Sequence, residues 1–367
     1  MENRRSFLKK GALAGAAVMA GAATLEGCRQ TGHVVPKPGG PAYAGSIGAS
    51  KLIVPKAAGL PITGTFLDEI SHDIPHQNWG EAEWDRDFAY MKAIGITDVI
   101  DIRCGHRKFI TYPSPHLLKT GCYMPSVDLI DMFCRLAEKY GMKFWFGLYD
   151  SGVPYPEGAV ADMENNKYVI EEAWERYGSK YKSFAGWYLS KEFSKKKDGM
   201  IDAYRALGKQ CKEISGGLPT FISPWINGKK AVSAFGSKLT KDNGTTVSDH
   251  ERDWNEIFDG IHDYVDACAF QDGHVDYDEL DTFLTINKSL ADKYGIESWT
   301  NAESFDRDMP IKFFPIKFDK LRLKLEAAKR CGYNKAITFE FSHFMSPQSA
   351  YLQAGHLYDR YREYFGI

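Results

Sequence analysis

A short unit recurs along the chain: a helical pattern ends at a glycine, and an apolar segment follows at once. Gly95, Gly141, Gly295 and Gly332 each precede such a segment. Glycine accepts the left-handed conformation that terminates helices, which explains its place between the two patterns. Repeated helix-glycine-strand units predict parallel strands joined by helical crossovers.

The apolar segments give eight predicted strands, at 62–67, 97–102, 142–148, 184–189, 219–224, 265–270, 296–301 and 335–340. With helices between them they fill roughly 300 residues, the size of a (β/α)8 barrel. An open doubly wound sheet is the main alternative, but it normally has a glycine-rich phosphate loop after its first strand, and Gly64 to Ile70 (GTFLDEI) is not one. The predicted fold is therefore α/β, a single-domain (β/α)8 TIM barrel over residues 61–367.

The charge balance excludes some classes of partner. The 367 residues carry a formal net charge of -2, and the pI is near 6.6, so no basic surface for nucleic acid or an anionic membrane is expected. Aromatic residues make up 14% of the chain, which suits a thick core and also a sugar site lined by rings. Composition alone does not decide between these two uses, and no cofactor is expected.

The amino terminus carries an arginine pair and then an apolar run: Arg4, Arg5, Phe7, Leu8 and Lys9, followed by Gly11 to Thr24. The run is too short for an ordinary transmembrane helix. The pattern resembles a twin-arginine export signal, which implies that the protein is exported to the periplasm or the cell surface.

A cysteine follows the apolar run at the position of a lipid anchor. Leu25 to Cys28 (LEGC) resembles a bacterial lipobox, so Cys28 is predicted to be lipidated and to provide the only membrane attachment. The alternative is a cysteine that follows a signal cleaved elsewhere. Residues 1–28 are then the signal, and residues 29–60, rich in Gly and Pro, are a flexible tether.

Two strands are predicted to end in glutamates. In the segment 183–193 (SFAGWYLSKEF), an apolar run ends at Leu189 and is followed closely by Glu192. The segment 296–305 (IESWTNAESF) places Glu303 at the end of another strand. The carboxyl ends of barrel strands share one face, where the chemistry of such barrels lies. We therefore predict a catalytic pair, with a surface ion pair as the alternative for Glu192 and a helix cap as the alternative for Glu303.

Other polar and aromatic residues at strand ends are predicted to bind substrate: Glu69, Arg103, Tyr149, Asp150, Trp225, Asn227, Gln271, Asn301, Glu340 and His343. Tyr149 and Trp225 are expected to stack on sugar rings, with a core position as the alternative.

The two glutamates need different protonation states, and the sequence offers groups that would produce them. Trp187, Tyr188 and Phe193 are expected to desolvate Glu192, and Arg103 is expected to stabilise a charged Glu303. Alternation along the strand predicts that Lys191 points away from the barrel axis.

Glutamates at the ends of strands four and seven resemble the arrangement in clan A glycoside hydrolases. The chain is also similar to an uncharacterised family of secreted bacterial glycosidase-like barrels through GTFLDEI, GWYLSKEF and SWTNAESF. The resemblance implies a retaining enzyme acting on an oligosaccharide, polysaccharide or glycoside outside the cytoplasm. Glu192 would be its acid/base and Glu303 its nucleophile. Clan A enzymes carry Asn at the position of Lys191.

Other chemistries find less support in the sequence. There is no G-x-S-x-G elbow, and Pro75 between His72 and His76 argues against a helical metal site, so no metal is expected. The alternative to an enzyme is a carbohydrate-binding barrel without turnover, a receptor or scaffold lipoprotein.

Overall fold

The computed structural model describes residues 57–71, 74–229, 244–307 and 313–367. The predicted signal, Cys28 and nearly all of the predicted tether lie outside these residues. Among the helices that are described, none is long and apolar enough to cross a membrane.

Eight parallel strands close into a barrel. They are β1 (Ile62–Leu67), β2 (Asp98–Asp101), β3 (Lys143–Gly147), β4 (Phe184–Tyr188), β5 (Thr220–Ile222), β6 (Ala267–Gln271), β7 (Glu297–Asn301) and β8 (Ala336–Thr338). Each strand pairs with the next in sequence, and β8 pairs with β1, with Thr65 opposite Thr338. All eight predicted strands are present, and the predicted barrel is confirmed.

One principal helix follows each strand: α1 (Glu81–Ala93), α2 (Leu129–Tyr140), α3 (Glu157–Ala173), α4 (Met200–Ser215), α5 (Val247–Ile261), α6 (Leu280–Tyr294), α7 (Phe318–Arg330) and α8 (Leu352–Phe365). Short helices form at Pro115–Lys119 and Phe341–Phe344, and a π-helical turn, Trp174–Gly178, extends α3. The predicted glycine stops occur at Gly141 (φ 63°) after α2 and Gly295 (φ 69°) after α6.

Large side chains fill the inside of the barrel: Phe66, Ile100, Trp145, Tyr188, Phe221, Trp299 and Ile337. Gly186 on β4 makes room for one of them, because a Cβ there would lie 2.3 Å from the ring of Trp145. A second apolar layer separates the strands from the surrounding helices. The interior is therefore packed, and ligands have access at the end of the barrel.

The loop between β1 and α1 is tied to the segment that follows β8. The backbone N of Ala350 donates to Gln77 Oε1 at 2.9 Å, and Gln77 Nε2 donates to the carbonyl of Ser342. His343 Nε2 lies 2.8 Å from the carbonyl of Pro75. These contacts hold one side of the barrel mouth in a fixed position.

Two short hairpins also stand at the barrel mouth. Gly105–His106 pairs with Phe109–Ile110 after β2, and Phe305–Asp306 pairs with Phe314–Pro315 after β7. Cys104 and Cys122, which precede and follow the first hairpin in sequence, are both free thiols.

Candidate active site

A cavity of about 130 Å³ opens at the carboxyl ends of the strands. It is lined by Ser71, Ile74, Ile102, Arg103, Glu192, Gln271, Glu303, Phe305, Arg307, Phe313 and Phe339. Both predicted catalytic glutamates are therefore on the wall of one cavity. Arg103 and Gln271, two of the predicted binding residues, join them there.

Glu192 follows β4 and is partly buried. Tyr188, the last residue of β4, points into the barrel and donates from Oη to Glu192 Oε1 at 2.8 Å. Burial raises the pKa of Glu192, and the charge of Glu303 adds to this effect, while Arg103, Gln271 and Tyr188 oppose it. The net result is a raised pKa, so Glu192 keeps its proton to a higher pH than an ordinary glutamate.

Glu303 follows β7 and is buried. Its carboxylate accepts two hydrogen bonds from Arg307, Nε to Oε2 at 3.1 Å and Nη2 to Oε1 at 3.0 Å. Burial alone would raise the pKa of Glu303, but Arg307, Lys324 and His274 outweigh it and hold the pKa below its usual range. Glu303 is therefore ionised where Glu192 is protonated.

Two aromatic rings orient the Arg307 side chain. Its guanidinium carbon lies 4.7 Å from the ring centroid of Phe305 and 5.4 Å from that of Phe313. A guanidinium held on ring faces keeps its planar set of donors directed at one carboxylate. Arg307 thus fixes both the charge and the orientation of Glu303.

Two buried side chains, Lys324 and Asp272, hold the backbone of Glu303. Lys324 of α7 is buried and donates to Asp272 Oδ1 at 2.7 Å and to the carbonyl of Glu303 at 3.1 Å. The same Asp272 oxygen accepts from the backbone N of Glu303 at 3.1 Å. Gly273 lies against the carboxylate, since a Cβ at this position would be 1.6 Å from Glu303 Oε2.

Arg103 does not pair with Glu303, and that prediction is wrong. Its Nη1 lies 3.4 Å from Asp150 Oδ2, and its charge acts on Glu192. Arg307 takes the predicted role because the loop after β7 brings it beside Glu303. The predicted desolvation of Glu192 by Trp187 is also wrong, since Trp187 Nε1 donates to Ser215 Oγ at the outer layer, 3.2 Å away.

Glu340 and His343 were predicted to bind substrate, and both are instead buried and paired with each other. Glu340 caps the short helix after β8, accepting from the backbone N of Ser342 at 3.1 Å and of His343 at 2.6 Å. Burial lowers the pKa of His343, but Glu340 outweighs it and raises the pKa to about 9. Both ring nitrogens face acceptors, Glu340 and the Pro75 carbonyl, as a protonated imidazole requires.

Three further predicted binding residues support the site without lining its described walls. Tyr149 is buried and donates from Oη to the carbonyl of Arg107 at 2.6 Å, so it braces the first hairpin and is no stacking platform. Asp150 accepts from Lys191 Nζ at 2.7 Å, which draws Lys191 away from Glu192. Asn301 is buried and donates to Ser223 Oγ at 3.1 Å.

The remaining predicted residues lie at the rim. Trp225 is partly exposed, with its ring edge-on to His274 at 5.2 Å, and its stacking role stays a prediction. Asn227 donates to Thr245 Oγ1 at 3.2 Å. Glu69 lines a neighbouring groove.

Sequence reasoning missed Arg307, Lys324, His274 and Gly273. Two signals were present. Arg307 follows Glu303 by four residues and carries the opposite charge. Lys324 falls on the apolar stripe of α7 with Leu321 and Leu325. A lysine on a buried helix face needs an acidic partner, here Asp272. Gly273 and His274 carried no comparable local signal.

The family described as Domain of unknown function (DUF4434) matches residues 62–351. A solved structure from Bacteroides thetaiotaomicron VPI-5482, described as a "putative alpha-L-fucosidase", is 74% identical, covers 87% of this chain and 99% of its own, and superposes with a TM-score of 0.83. The endo-1,4-beta-D-mannanase of Thermotoga petrophila RKU-1 is 12% identical, with coverages of 77% and 88% and a TM-score of 0.51, and shares the fold. No curated protein matches the chain.

Proposed function

The chain belongs to the DUF4434 family, and we propose that it is a retaining glycoside hydrolase. One observation carries the proposal: two carboxyl groups line one cavity, and the pKa of Glu192 is raised while that of Glu303 is lowered. A retaining mechanism requires a protonated acid and an ionised nucleophile at the same pH. The description of the Bacteroides relative as an alpha-L-fucosidase supports hydrolysis of a glycosidic bond as the reaction class.

The reaction takes two steps. Glu303 attacks the anomeric carbon and forms a glycosyl ester, while Glu192 gives its proton to the departing glycosidic oxygen. Water then attacks the same carbon, Glu192 takes a proton from it, and the ester bond to Glu303 breaks. Glu192 is ionised after the first step, as a base must be, and it regains its proton in the second step, which returns the enzyme to its starting state.

A terminal sugar is the proposed substrate unit, with α-L-fucosides as the first to test. The cavity is small, and its apolar side, formed by Ile74, Ile102 and Phe339, suits the methyl group of a deoxy sugar. Arg103, on the wall of the cavity, offers guanidinium donors to hydroxyl groups. The fucosidase description of the relative with 74% identity points to the same sugar.

The experiment is a panel of 4-nitrophenyl glycosides, including the α-L-fucoside and the β-D-mannoside, with NMR of the first product anomer. Azide should rescue Glu303→Ala and give an inverted glycosyl azide, and should rescue Glu192→Ala and give a retained one. Glu164→Ala, at an exposed position of α3, is the matched control. Near-normal hydrolysis by either unrescued variant would contradict the mechanism.

A crystal structure gives an independent check, because retaining enzymes place the two carboxyl groups about 5 to 5.5 Å apart. If the protein bound oligosaccharides but cleaved no glycoside in the panel, the result would favour the alternative function, a carbohydrate-binding barrel.

We also propose that the protein is exported and anchored by lipid at Cys28, on the evidence of the twin-arginine pattern and the LEGC segment. Cys28→Ala should move the mature protein from the membrane to the soluble fraction on fractionation. Equal membrane association of the variant would contradict the anchor.

A further inference from the structure

A second concave surface, of about 360 Å³, lies beside the cavity. We call it the β1–β2 groove, and its lining includes Glu69, His76, Asn78, Trp79, Phe109 and Val127. The loop after β1 separates the two, since Ser71 and Ile74 line the cavity while Glu69 and His76 line the groove. The cavity and the groove therefore lie on two sides of the same loop.

Both sides of the groove are held in place before any ligand arrives. The β1–α1 side is fixed by the bonds of Pro75 and Gln77 to the segment after β8. The opposite side is the hairpin after β2, braced by Tyr149 at the Arg107 carbonyl and by the Tyr123 backbone N at the Lys108 carbonyl, 2.8 Å away. A preformed surface loses little conformational entropy on binding.

Aromatic rings on the hairpin side face solvent. Phe109 is 61% exposed and Tyr123 is 55% exposed, and their rings meet edge-on at 5.4 Å. Solvent-facing rings offer flat apolar faces on which the C–H groups of sugars can pack. Isolated exposed aromatics are common, but these stand together at the edge of a concave surface.

The polar groups of the groove suit hydroxyls and not phosphates. Its described lining contains no lysine or arginine, which a strongly anionic ligand would require. Glu69 receives a long hydrogen bond of 3.4 Å from the backbone N of Gln77. Burial raises the pKa of Glu69 to about 7, so its carboxyl group can donate as well as accept near neutral pH.

We propose that the β1–β2 groove binds the sugar units of a neutral oligosaccharide that lie beyond the bond cleaved in the cavity. The inference rests on the proposed function. A cavity of about 130 Å³ leaves the rest of an oligosaccharide outside, and the groove provides the adjoining aromatic and polar surface. Phe109 packs against a sugar ring, and Glu69 hydrogen-bonds its hydroxyls.

The kinetic test compares a short and a long probe, 4-nitrophenyl α-L-fucopyranoside and lacto-N-fucopentaose I. Phe109→Ala should lower kcat/KM for the pentasaccharide by about 3- to 10-fold, the range expected for one aromatic contact, and leave the short probe within about twofold. Tyr168→Ala, an equally drastic change at a ring that is 46% exposed on α3, is the control and should change neither. Equal effects on both probes, or no effect, would overturn the inference.

A binding test separates this inference from the proposed function. Calorimetry on the Glu303→Gln protein would use lacto-N-fucopentaose I, mannohexaose and xylohexaose. Binding weakened by Phe109→Ala or Glu69→Gln, but not by Tyr168→Ala, would support the groove even if no glycoside were hydrolysed. Hydrolysis with unchanged dependence on chain length, or no binding of any of the three probes, would overturn the groove and leave the catalytic proposal standing on its own tests.

Discussion

The ends of β7 and β8 make an instructive comparison, because each is followed by a glutamate that lies beside a cation. Glu303 faces the cavity, and its partner Arg307 reaches it from the rim. Glu340 is turned inward, where its oxygens accept from two backbone amides and from the buried ring of His343. The strand end places both carboxylates at the mouth, but the nearby donors decide which of them can meet a ligand.

Backbone donors explain the difference. After β8 the chain turns at once into a helix, whose free N–H groups capture the Glu340 side chain as a cap. After β7 the backbone of Glu303 is bonded to Asp272 and Lys324, and no helix begins among the described residues up to Arg307 that could be capped by the side chain. A carboxylate at a strand end is thus available for chemistry when its own backbone is satisfied elsewhere.

The sharpest test of the comparison is Glu303→Gln, which keeps the size of the side chain and removes its charge. We expect kcat to fall by about 10³-fold or more, because the proposed nucleophile is lost. The melting temperature should change little, since Arg307 is close enough to the rim to be solvated. Initial rates and differential scanning fluorimetry measure both. Near-normal turnover would mean that the two glutamates do not differ in the proposed way.

Glu340→Gln should act on stability instead. Removing one partner of a buried ion pair costs about 3 to 5 kcal/mol, here by leaving the His343 cation unpaired, and urea unfolding would measure the loss. Unchanged stability with a lower rate per folded molecule would show that Glu340 belongs to the chemistry.

The same pair predicts a pH dependence. The pKa of His343 is raised to about 9, so its contribution is complete below about 6.5, the value for an unfolded histidine, and is lost as the pH rises through 9. The wild-type protein should therefore lose stability between pH 7 and 10 more steeply than Glu340→Gln. Parallel curves for the two proteins would contradict the ion pair.

Arg307→Gln tests the other cation. Without it the pKa of Glu303 should rise, and the acid limb of kcat/KM should move to higher pH by about one unit. Arg307→Lys keeps the charge and should return most of this shift. An acid limb that stays in place in Arg307→Gln would show that Arg307 does not control the ionisation of Glu303.

Lys191→Met should have the smallest effect. Lys191 Nζ bonds to Asp150 at 2.7 Å and is not among the main groups that shift the pKa of Glu192. We expect the alkaline limb of the pH profile, which reports Glu192, to stay in place, and kcat to change by less than about threefold. A shift of that limb to higher pH would mean that Lys191 acts on the acid after all.

The fold could be predicted because its signals are local: a glycine stop, an apolar run and a polar end. Strand limits were less accurate where tertiary contacts decide them. The prediction extended β5 to residue 224, but the strand ends at Ile222, since Pro224 has no N–H for the ladder. Local patterns thus gave every strand, but not every strand limit.

Within the site, Glu192 and Glu303 could be found from strand ends alone. The role of Gly273 could not, because it depends on how closely one loop approaches another. Glu340 and His343 were misassigned for a related reason: position on a rim says nothing about which hydrogen bonds a side chain already makes. Local patterns therefore located the mouth of the barrel, and three-dimensional contacts determine which of its side chains face the cavity.

The bonds of the β1–α1 loop to the segment after β8 have a consequence for the order of folding. They join residues that are separated by 265 to 273 positions in the sequence, so one side of the mouth is held by a part of the chain that is synthesised much later than the loop itself. A growing chain can form its early strands and helices and still have no finished groove. Ligand binding at this mouth would then report that the barrel has closed, and a chain shortened before Ser342 would lose the groove before it lost most of its secondary structure.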